Sequence, residues 1–485
     1  MTLRAVPRSE RPEVSVVLVT FNAWEWTQRA LAALVENTEP CYEVIVADNA
    51  SADGTLEGLA GVEGITLLRN PVNLGFGPAV NQAALHARAR SLLLLNTDAL
   101  VRPGWLPPLR AILDAEPDVG AVAPRLLHLD GTVQEAGSMV WGDAEVWPYG
   151  ATQPAERPEY RFRRDVDYAS AACLLLRRSA FVEAGGLHPA YAPAYFEDVD
   201  LCLSLWDRGF RTVCQPASEV THAGGASSDR QRLAGLLARN RPLFAERWRP
   251  LLASRPPSPV HWEPEDVLLG RDLRCSDRVL VVGDFVPDGR QPRLRALLLG
   301  LVEMWPEARV THLALDGDGA EASAAPLLEA GVELAWPGDG VATWLSRRRH
   351  HYGVVVSASW PAAMPPVAGL LDATQPHAHR ALLLDGGFER DLAGEGYAAA
   401  VRSARLLLCA DGEQRDRASR VAPAALAVAL AGDDHRAPGW KGALAAALAP
   451  LGMAPSRLSA PRAEAGAAAG TAGAPAHIPA GSPAG

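Results

Sequence analysis

The sequence predicts an α/β protein, a parallel-core sheet with helices on both faces followed by a second, smaller unit of the same kind. Three observations carry this. Runs such as Val14-Ser15-Val16-Val17-Leu18-Val19-Thr20 and Tyr42-Glu43-Val44-Ile45-Val46-Ala47-Asp48 are apolar at successive positions, the pattern of strands covered on both faces. They alternate with stretches of helical spacing, the order that builds a parallel sheet. At 485 residues the chain is also too long for one hydrophobic core.

Taken in order, the first strand starts at Val14 and ends in Thr20-Phe21-Asn22. Residues 24–36 have helical spacing, with Ala30, Leu31 and Leu34 inward. The second strand ends at Asp48, where the polar turn Asp48-Asn49-Ala50-Ser51-Ala52-Asp53-Gly54-Thr55 opens another helix. Residues 65–69 form a third strand, and Asn73-Leu74-Gly75-Phe76-Gly77 leads into a helix carrying Asn81. Residues 91–96 are a fourth strand that stops at Asn96-Thr97-Asp98. Residues 120–124 read as a strand, and 126–142 as a loop-rich stretch with an Asp130-Gly131 turn. Trp141, Trp147, Tyr149 and Tyr160 follow closely, as a sugar-stacking wall or as a satellite core. Residues 170–176 are a buried strand, and Ala184-Gly185-Gly186-Leu187 turns toward a helix that begins near Glu197 and stops at Gly209.

That helix starts with Glu197, Asp198 and Asp200. One acid there is explained as a cap on the orphan N–H groups; three are not. Like charges this close raise the pKa of at least one member, which tunes a carboxylate for general-base work. From the residues alone a capping and a catalytic reading stand level, and Glu197 and Asp198 are the catalytic candidates. Asn22, Asp48 and Asp98 all fall at carboxyl ends of strands, where parallel sheets bind ligands. Each alone reads as an ordinary turn former; the three together point to a ligand. A carboxylate such as Asp48 can accept the N3–H of uracil or thymine, and one such as Asp98 can hold a divalent cation against a diphosphate. No glycine-rich phosphate loop is present.

These residues, with Val220-Thr221-His222-Ala223-Gly224-Gly225, make the stretch 14–228 resemble a family 2 glycosyltransferase of the GT-A fold, particularly its rhamnosyltransferase-like branch. The resemblance implies that Asp48 binds the pyrimidine, that Thr20 and Asn22 line the same pocket, and that Asp53, Asn73, Gly75, Asn81 and Asn96 border the nucleotide-sugar. Asn96-Thr97-Asp98 stands where the family has its Asp-x-Asp motif, with Asp98 the ligand for Mg²⁺ or Mn²⁺. Asn96 in place of the first Asp removes one negative charge and weakens the metal site. Asp198 becomes the general base, and His222 a second metal ligand or a diphosphate contact. Unaided, His222 reads as a loop histidine bonded to a carbonyl.

After an arginine-rich helix at 230–249, residues 250–277 form a proline-rich linker. The arginines suit a lipid phosphate or an anionic acceptor, or simply a solvated helix face. Residues 278–432 repeat the strand and helix alternation as a Rossmann-like accessory unit, with a weaker resemblance to the amino-terminal half of a GT-B glycosyltransferase. Residues 1–13 and the Ala/Gly/Pro-rich stretch 433–485 are expected to be disordered.

A formal charge of −10 and a pI near 5.7 argue against a nucleic-acid or anionic-membrane surface. The six cysteines show no C-x-x-C pair and suit a reducing compartment. With no apolar leader and no apolar run long enough to span a bilayer, the expected location is cytoplasmic, with membrane contact at most peripheral.

The functional expectation is an inverting, metal-dependent glycosyltransferase that moves a sugar from a dTDP- or UDP-linked donor, rhamnose first, onto a glycan or lipid-linked acceptor. The rival from another class is a non-catalytic nucleotide-sugar or glycan-binding subunit, favoured by Asn96. Nucleotidyl transfer onto a sugar phosphate is a third reading, weakened by the missing phosphate loop.

Overall fold

The computed structural model describes residues 3–453 apart from 40, 225–229, 261–263, 285, 288–290, 318–319, 338–339, 359–363, 385–399, 431–433 and 438. The first unit is organised on a ten-stranded sheet. Its strands are β1 (Val14–Thr20), β2 (Tyr42–Asp48), β3 (Ile65–Arg69), β4 (Ser91–Leu95), β5 (Ala99–Val101), β6 (Val119–Leu127) and β7 (Val133–Glu135). The short hairpin of β8 (Ser138–Val140) and β9 (Val146–Pro148) stands apart, and β10 (Arg164–Val166), β11 (Cys173–Arg177) and β12 (Arg211–His222) complete the sheet.

The order along the sheet is β10-β12-β6-β11-β4-β1-β2-β3, with β5 on β12 and β7 on β6. β1 is parallel to β2 and β4, and β2 to β3, while β11 runs antiparallel between β4 and β6. Alternate residues of the central strands feed two cores, which is why the sequence is apolar at successive positions. Val16, Leu18, Val44 and Val46 pack with the helices Trp24–Asn37 and Leu106–Ala115. Val17, Ile45 and Ala47 pack with the helices Phe76–Ala84 and Glu197–Asp207 on the other face.

The expected disorder of residues 1–13 is corrected for 3–13. Val6 is buried among Leu59 and Val62, its N–H bonds the Glu63 carbonyl at 2.9 Å, and the Glu13 N–H bonds the Cys41 carbonyl at 2.7 Å. One apolar anchor in a polar stretch suffices to hold it. The described residues of the expected linker 250–277 are likewise packed: Arg255 forms a fork on Asp167 at 2.5 and 2.7 Å, and residues Pro264–Arg271 are a helix.

The second unit is a seven-stranded, all-parallel sheet of β13 (Arg278–Gly283), β14 (Arg309–Ala314), β15 (Glu333–Ala335), β16 (Val354–Ser357), β17 (His379–Leu383), β18 (Leu406–Cys409) and β19 (Leu426–Ala429). Its order β15-β14-β13-β16-β17-β18-β19 reverses direction between β13 and β16, the doubly wound arrangement. The helix Trp440–Leu448 buries Trp440 and Leu444 in that unit's core, so the unit extends to Met453 rather than ending at 432. The expected disorder from 454 onward lies outside the described residues.

The two units share buried contacts. Phe162, from the first, lies in the core of the second. Arg271 is buried beside it, bonding Asp272 at 2.6 Å, Glu333 at 2.8 Å and the Tyr149 hydroxyl at 3.0 Å. Tyr149 and Tyr160 meet edge to face at 5.0 Å, and Trp141 is fully buried, so the aromatic cluster is a satellite core rather than an open sugar wall. Among the described residues no helix is long and apolar enough to cross a membrane.

Candidate active site at the carboxyl edge of the first sheet

Asp48 closes β2 and is almost fully buried. Its Oδ2 accepts the Ser51 N–H at 3.1 Å, while its buried Oδ1 has no hydrogen-bond partner among the described residues. A buried acceptor left unmatched is costly, so Oδ1 suits a ligand donor. The turn around it is tied to the end of β1: Asn22 Oδ1 accepts the Ala52 N–H at 2.7 Å, and the Asn22 N–H donates to Ser51 Oγ at 2.9 Å. Both turns use left-handed residues, Asn22 at φ 51° and Ala50 at φ 61°.

Several residues expected at the nucleotide have their polar groups committed elsewhere. Thr20 is buried, and its hydroxyl meets Thr27 Oγ1 at 2.9 Å; since Thr27 donates to the Ala23 carbonyl, Thr20 is the donor of that pair. Thr20 therefore holds a helix start rather than lining a pocket. Asn81 spans Leu187, donating to its carbonyl at 2.7 Å and accepting its N–H at 2.9 Å, so it is a clamp between two segments. Asp53 accepts the Thr55 N–H and hydroxyl, and Asn73 Oδ1 accepts the Gly75 N–H at 2.9 Å. Gly75 has φ 87°, and a Cβ there would lie 2.7 Å from Pro193 Cα. Its absence lets the loop at 73–77 meet the loop that precedes Asp198, where the Phe76 N–H bonds the Pro193 carbonyl at 2.7 Å.

Asp98 follows β4, two strands from Asp48, a separation of roughly 10 Å at the usual strand spacing. The end of β12 brings His222 beside it through the β5 pairing, with Nε2 3.2 Å from Asp98 Oδ1. His222 Nδ1 lies 2.7 Å from Gln134 Oε1. Both side chains of the pair are largely shielded from solvent. Among the described residues no three His, Cys, Asp or Glu side chains form a ready-made metal cage. The Asn96 N–H bonds the Ala172 carbonyl at 2.9 Å, fastening the Asp98 turn to the start of β11.

Asp198 lies half-buried in the first turn of the Glu197–Asp207 helix. Its Oδ2 accepts the Ala171 N–H at 3.2 Å and its Oδ1 the Val199 N–H at 2.9 Å. Burial raises its pKa, and these two amides only partly oppose the rise. Glu197 is buried, with no hydrogen-bond partner for Oε2 among the described residues; burial, then the Asp198 charge, pushes its pKa well up. The third acid, Asp200, is structural. It receives the Tyr191 hydroxyl at 3.0 Å, Trp248 Nε1 at 2.7 Å and Arg247 at 2.8 Å.

The residues before Asp198 are strained, Tyr195 at φ 77° and Phe196 at φ 76°. Asn240, fully buried, holds them: its Nδ2 lies 3.1, 2.9 and 2.7 Å from the carbonyl oxygens of Tyr191, Ala194 and Tyr195, and its two hydrogens are shared among them. Arg239, Arg241, Arg247 and Arg249 likewise serve internal partners, in the Tyr191, Asp143, Asp200 and Glu246 groups respectively.

Sequence reasoning missed Gln134, Glu135 and Asn240. Glu135 Oε1 accepts the Ser170 N–H at 3.0 Å, next to the amide that holds Asp198. Burial, opposed by that N–H and aided by the Asp198 charge, pushes the Glu135 carboxyl up to about 7. The available signal was a polar Gln-Glu pair following the Asp130-Gly131 turn.

The model of glycosyl transferase family 2 matches residues 15–185. An N-acetylglucosaminyl-diphospho-decaprenol L-rhamnosyltransferase of Mycobacterium tuberculosis (strain ATCC 25618 / H37Rv) is 32% identical over 252 residues, covering 47% of this chain and 82% of that protein. The uncharacterized protein y4gI of Sinorhizobium fredii is 29% identical over 233 residues, covering 46% of this chain; the chain spans only 25% of its length. Among solved structures, GalNAc-T7 with UDP, GalNAc and Mn²⁺ aligns with a TM-score of 0.38 at 17% identity, over 50% of this chain and 49% of that one. The family match and the related transferase define a glycosyltransferase, and its parallel-core sheet is of the GT-A kind. The chain belongs to glycosyltransferase family 2.

Proposed function

We propose that the chain transfers a sugar from a pyrimidine nucleoside diphosphate, with dTDP-rhamnose the leading donor, to a hydroxyl of a glycan or lipid-linked acceptor, with inversion at the anomeric carbon. The observation that carries this reading is the half-buried Asp198, held by the Ala171 amide one strand away from the Asp98 and His222 pair. The similarity to a rhamnosyltransferase supports the choice of sugar.

In this reading Asp48 Oδ1 accepts the N3–H of the base, as its unmatched burial favours. Asp198 accepts the proton of the acceptor hydroxyl as that oxygen bonds the anomeric carbon. The bond from carbon to phosphate oxygen breaks on the opposite side, and the nucleoside diphosphate leaves with the electron pair. One base with no covalent nucleophile gives inversion. Burial raises the pKa of Glu197, which disfavours a second negative charge beside Asp198.

A carboxylate oxygen and an imidazole nitrogen 3.2 Å apart suit Mn²⁺ better than Mg²⁺, and Asp98 and His222 would hold the cation. When bound, it supplies charge neutralisation for the leaving diphosphate. With Asn96 in place of a second acid, affinity depends on the nucleotide's own oxygens.

The test is a donor panel of dTDP-, UDP- and GDP-sugars offered with lipid-linked and oligosaccharide acceptors, the product's anomeric configuration being read by NMR. Transfer confined to pyrimidine donors, with inversion, is expected. Retention, or a preference for GDP-sugars, would overturn the reading.

A further inference from the structure

His222 does not stand free beside Asp98; its other ring nitrogen is 2.7 Å from Gln134 Oε1. Which atom carries the proton follows from the rest of the Gln134 amide. Gln134 Nε2 lies 3.4 Å from the carbonyl oxygen of His222 and 3.3 Å from His128 Nδ1. A carbonyl oxygen can only accept, so the atom facing it is the amide nitrogen and the atom facing His222 Nδ1 is the amide oxygen. That oxygen can only accept, so His222 Nδ1 carries the hydrogen. A neutral imidazole protonated at Nδ1 leaves Nε2 as a bare lone pair, and this lone pair faces Asp98 Oδ1 at 3.2 Å. A bare Nε2 and a carboxylate oxygen in contact are satisfied by a divalent cation or by a second ring proton, and the Nδ1–H form is the one that leaves Nε2 available to a cation.

The backbone explains why Gln134 can reach. Leu126 pairs with Glu135 and Leu127 with Val133, so Gln134 is the extra residue of a β-bulge in β7. Bulges re-aim a side chain out of the regular alternation. The same two-residue step sends Glu135 to the Ser170 amide on the Asp198 side. On the far side, a Cβ on Gly224 would lie 3.0 Å from Gln134 Nε2, so the chain after His222 closes over the amide.

We propose that Gln134 is a positioning residue that fixes His222 as the Nδ1–H tautomer and so makes Asp98 and His222 a cation-holding pair. The inference rests on the metal reading given under Proposed function. Outer partners of metal-binding histidines commonly carry about 10- to 100-fold of metal affinity.

The experiment is calorimetric titration of the full chain with MnCl₂, with and without dTDP, in wild type, Gln134→Leu and Gln134→Glu, each checked for unchanged circular dichroism. Gln134→Leu is expected to bind Mn²⁺ about 10- to 100-fold more weakly. Gln134→Glu is expected to bind at least as tightly as wild type, because a carboxylate still accepts from Nδ1–H. If Gln134 served only to tether the backbone, glutamate would fail like leucine, since it cannot donate to the His222 carbonyl. A second readout is the ¹⁵N spectrum of histidine-labelled, metal-free protein, with the His222 signals assigned by their loss in His222→Gln; the Nδ1–H tautomer is expected. Equal Mn²⁺ affinity in wild type and Gln134→Leu, or an Nε2–H tautomer in wild type, would overturn the inference and leave the metal reading standing. No Mn²⁺ binding by wild type in either condition would overturn both.

Discussion

Asp198 and Asp200 stand two positions apart in one helical turn and have opposite surroundings. Asp198 is half-buried, meets backbone amides alone among the described residues, and has a raised pKa because burial outweighs them. Asp200 is fully buried and receives a phenol, an indole and a guanidinium. In the proposed function the first takes the acceptor's proton, while the second is a structural tie. Asp198→Asn should lower turnover by roughly a hundredfold or more while leaving donor affinity and thermal stability near wild type. Steady-state rates beside dTDP titration check this.

Asp200→Ala should behave in the reverse way. It leaves Tyr191 and Trp248 without their acceptor and should cost on the order of 3 kcal/mol of stability. Denaturant unfolding would measure the loss, and a normal midpoint would refute the structural assignment.

Glu135 gives a pH dependence of stability. Its folded pKa of about 7 lies above the ordinary value of 4.5, so the folded state holds the proton more tightly than the unfolded chain. Its contribution is fully present below about 4.5 and lost as pH rises through about 7, a total of about 3 kcal/mol. Glu135→Gln should flatten that part of the stability profile between pH 4.5 and 8. An unchanged slope would mean the carboxyl is ionised in the folded protein.

Gly75 and Gly54 share a left-handed backbone, with φ of 87° and 90°, and differ in what surrounds them. Gly54→Ala meets nothing within 4 Å and should cost about 1 kcal/mol without changing the rate. Gly75→Ala would push on the Pro193 backbone and hence on the loop that presents Asp198, and should lower turnover by roughly a hundredfold. Equal rates in the two variants would show that the Pro193 contact does not position Asp198.

The strands of the first sheet were legible because burial on both faces writes a continuous apolar run, as in β1 and β2. The direction of β11 was not, since a strand buried on both faces reads the same whichever way it runs. The three-residue strands β5, β7 and β8 are too short to show a period. The positions of Asp48 and Asp98 at strand ends and of Asp198 at a helix start were legible in the sequence, and the structure places them there. Thr20 and Asn81 were assigned to the nucleotide because a sequence does not show that Thr27 and Leu187 already satisfy them. Gln134, Glu135 and Asn240 escaped notice because tertiary contacts alone bring them to His222, Ser170 and Tyr195.

The most direct test of the central claim is acceptor-dependent release of nucleoside diphosphate from dTDP-rhamnose, measured with Mn²⁺ in wild type, Asp198→Asn and Asp98→Asn. The expected result is release stimulated by acceptor in wild type and lost in both variants, with dTDP binding retained by Asp198→Asn. Release in Asp198→Asn at the wild-type rate would contradict the claim that this carboxylate takes the acceptor's proton.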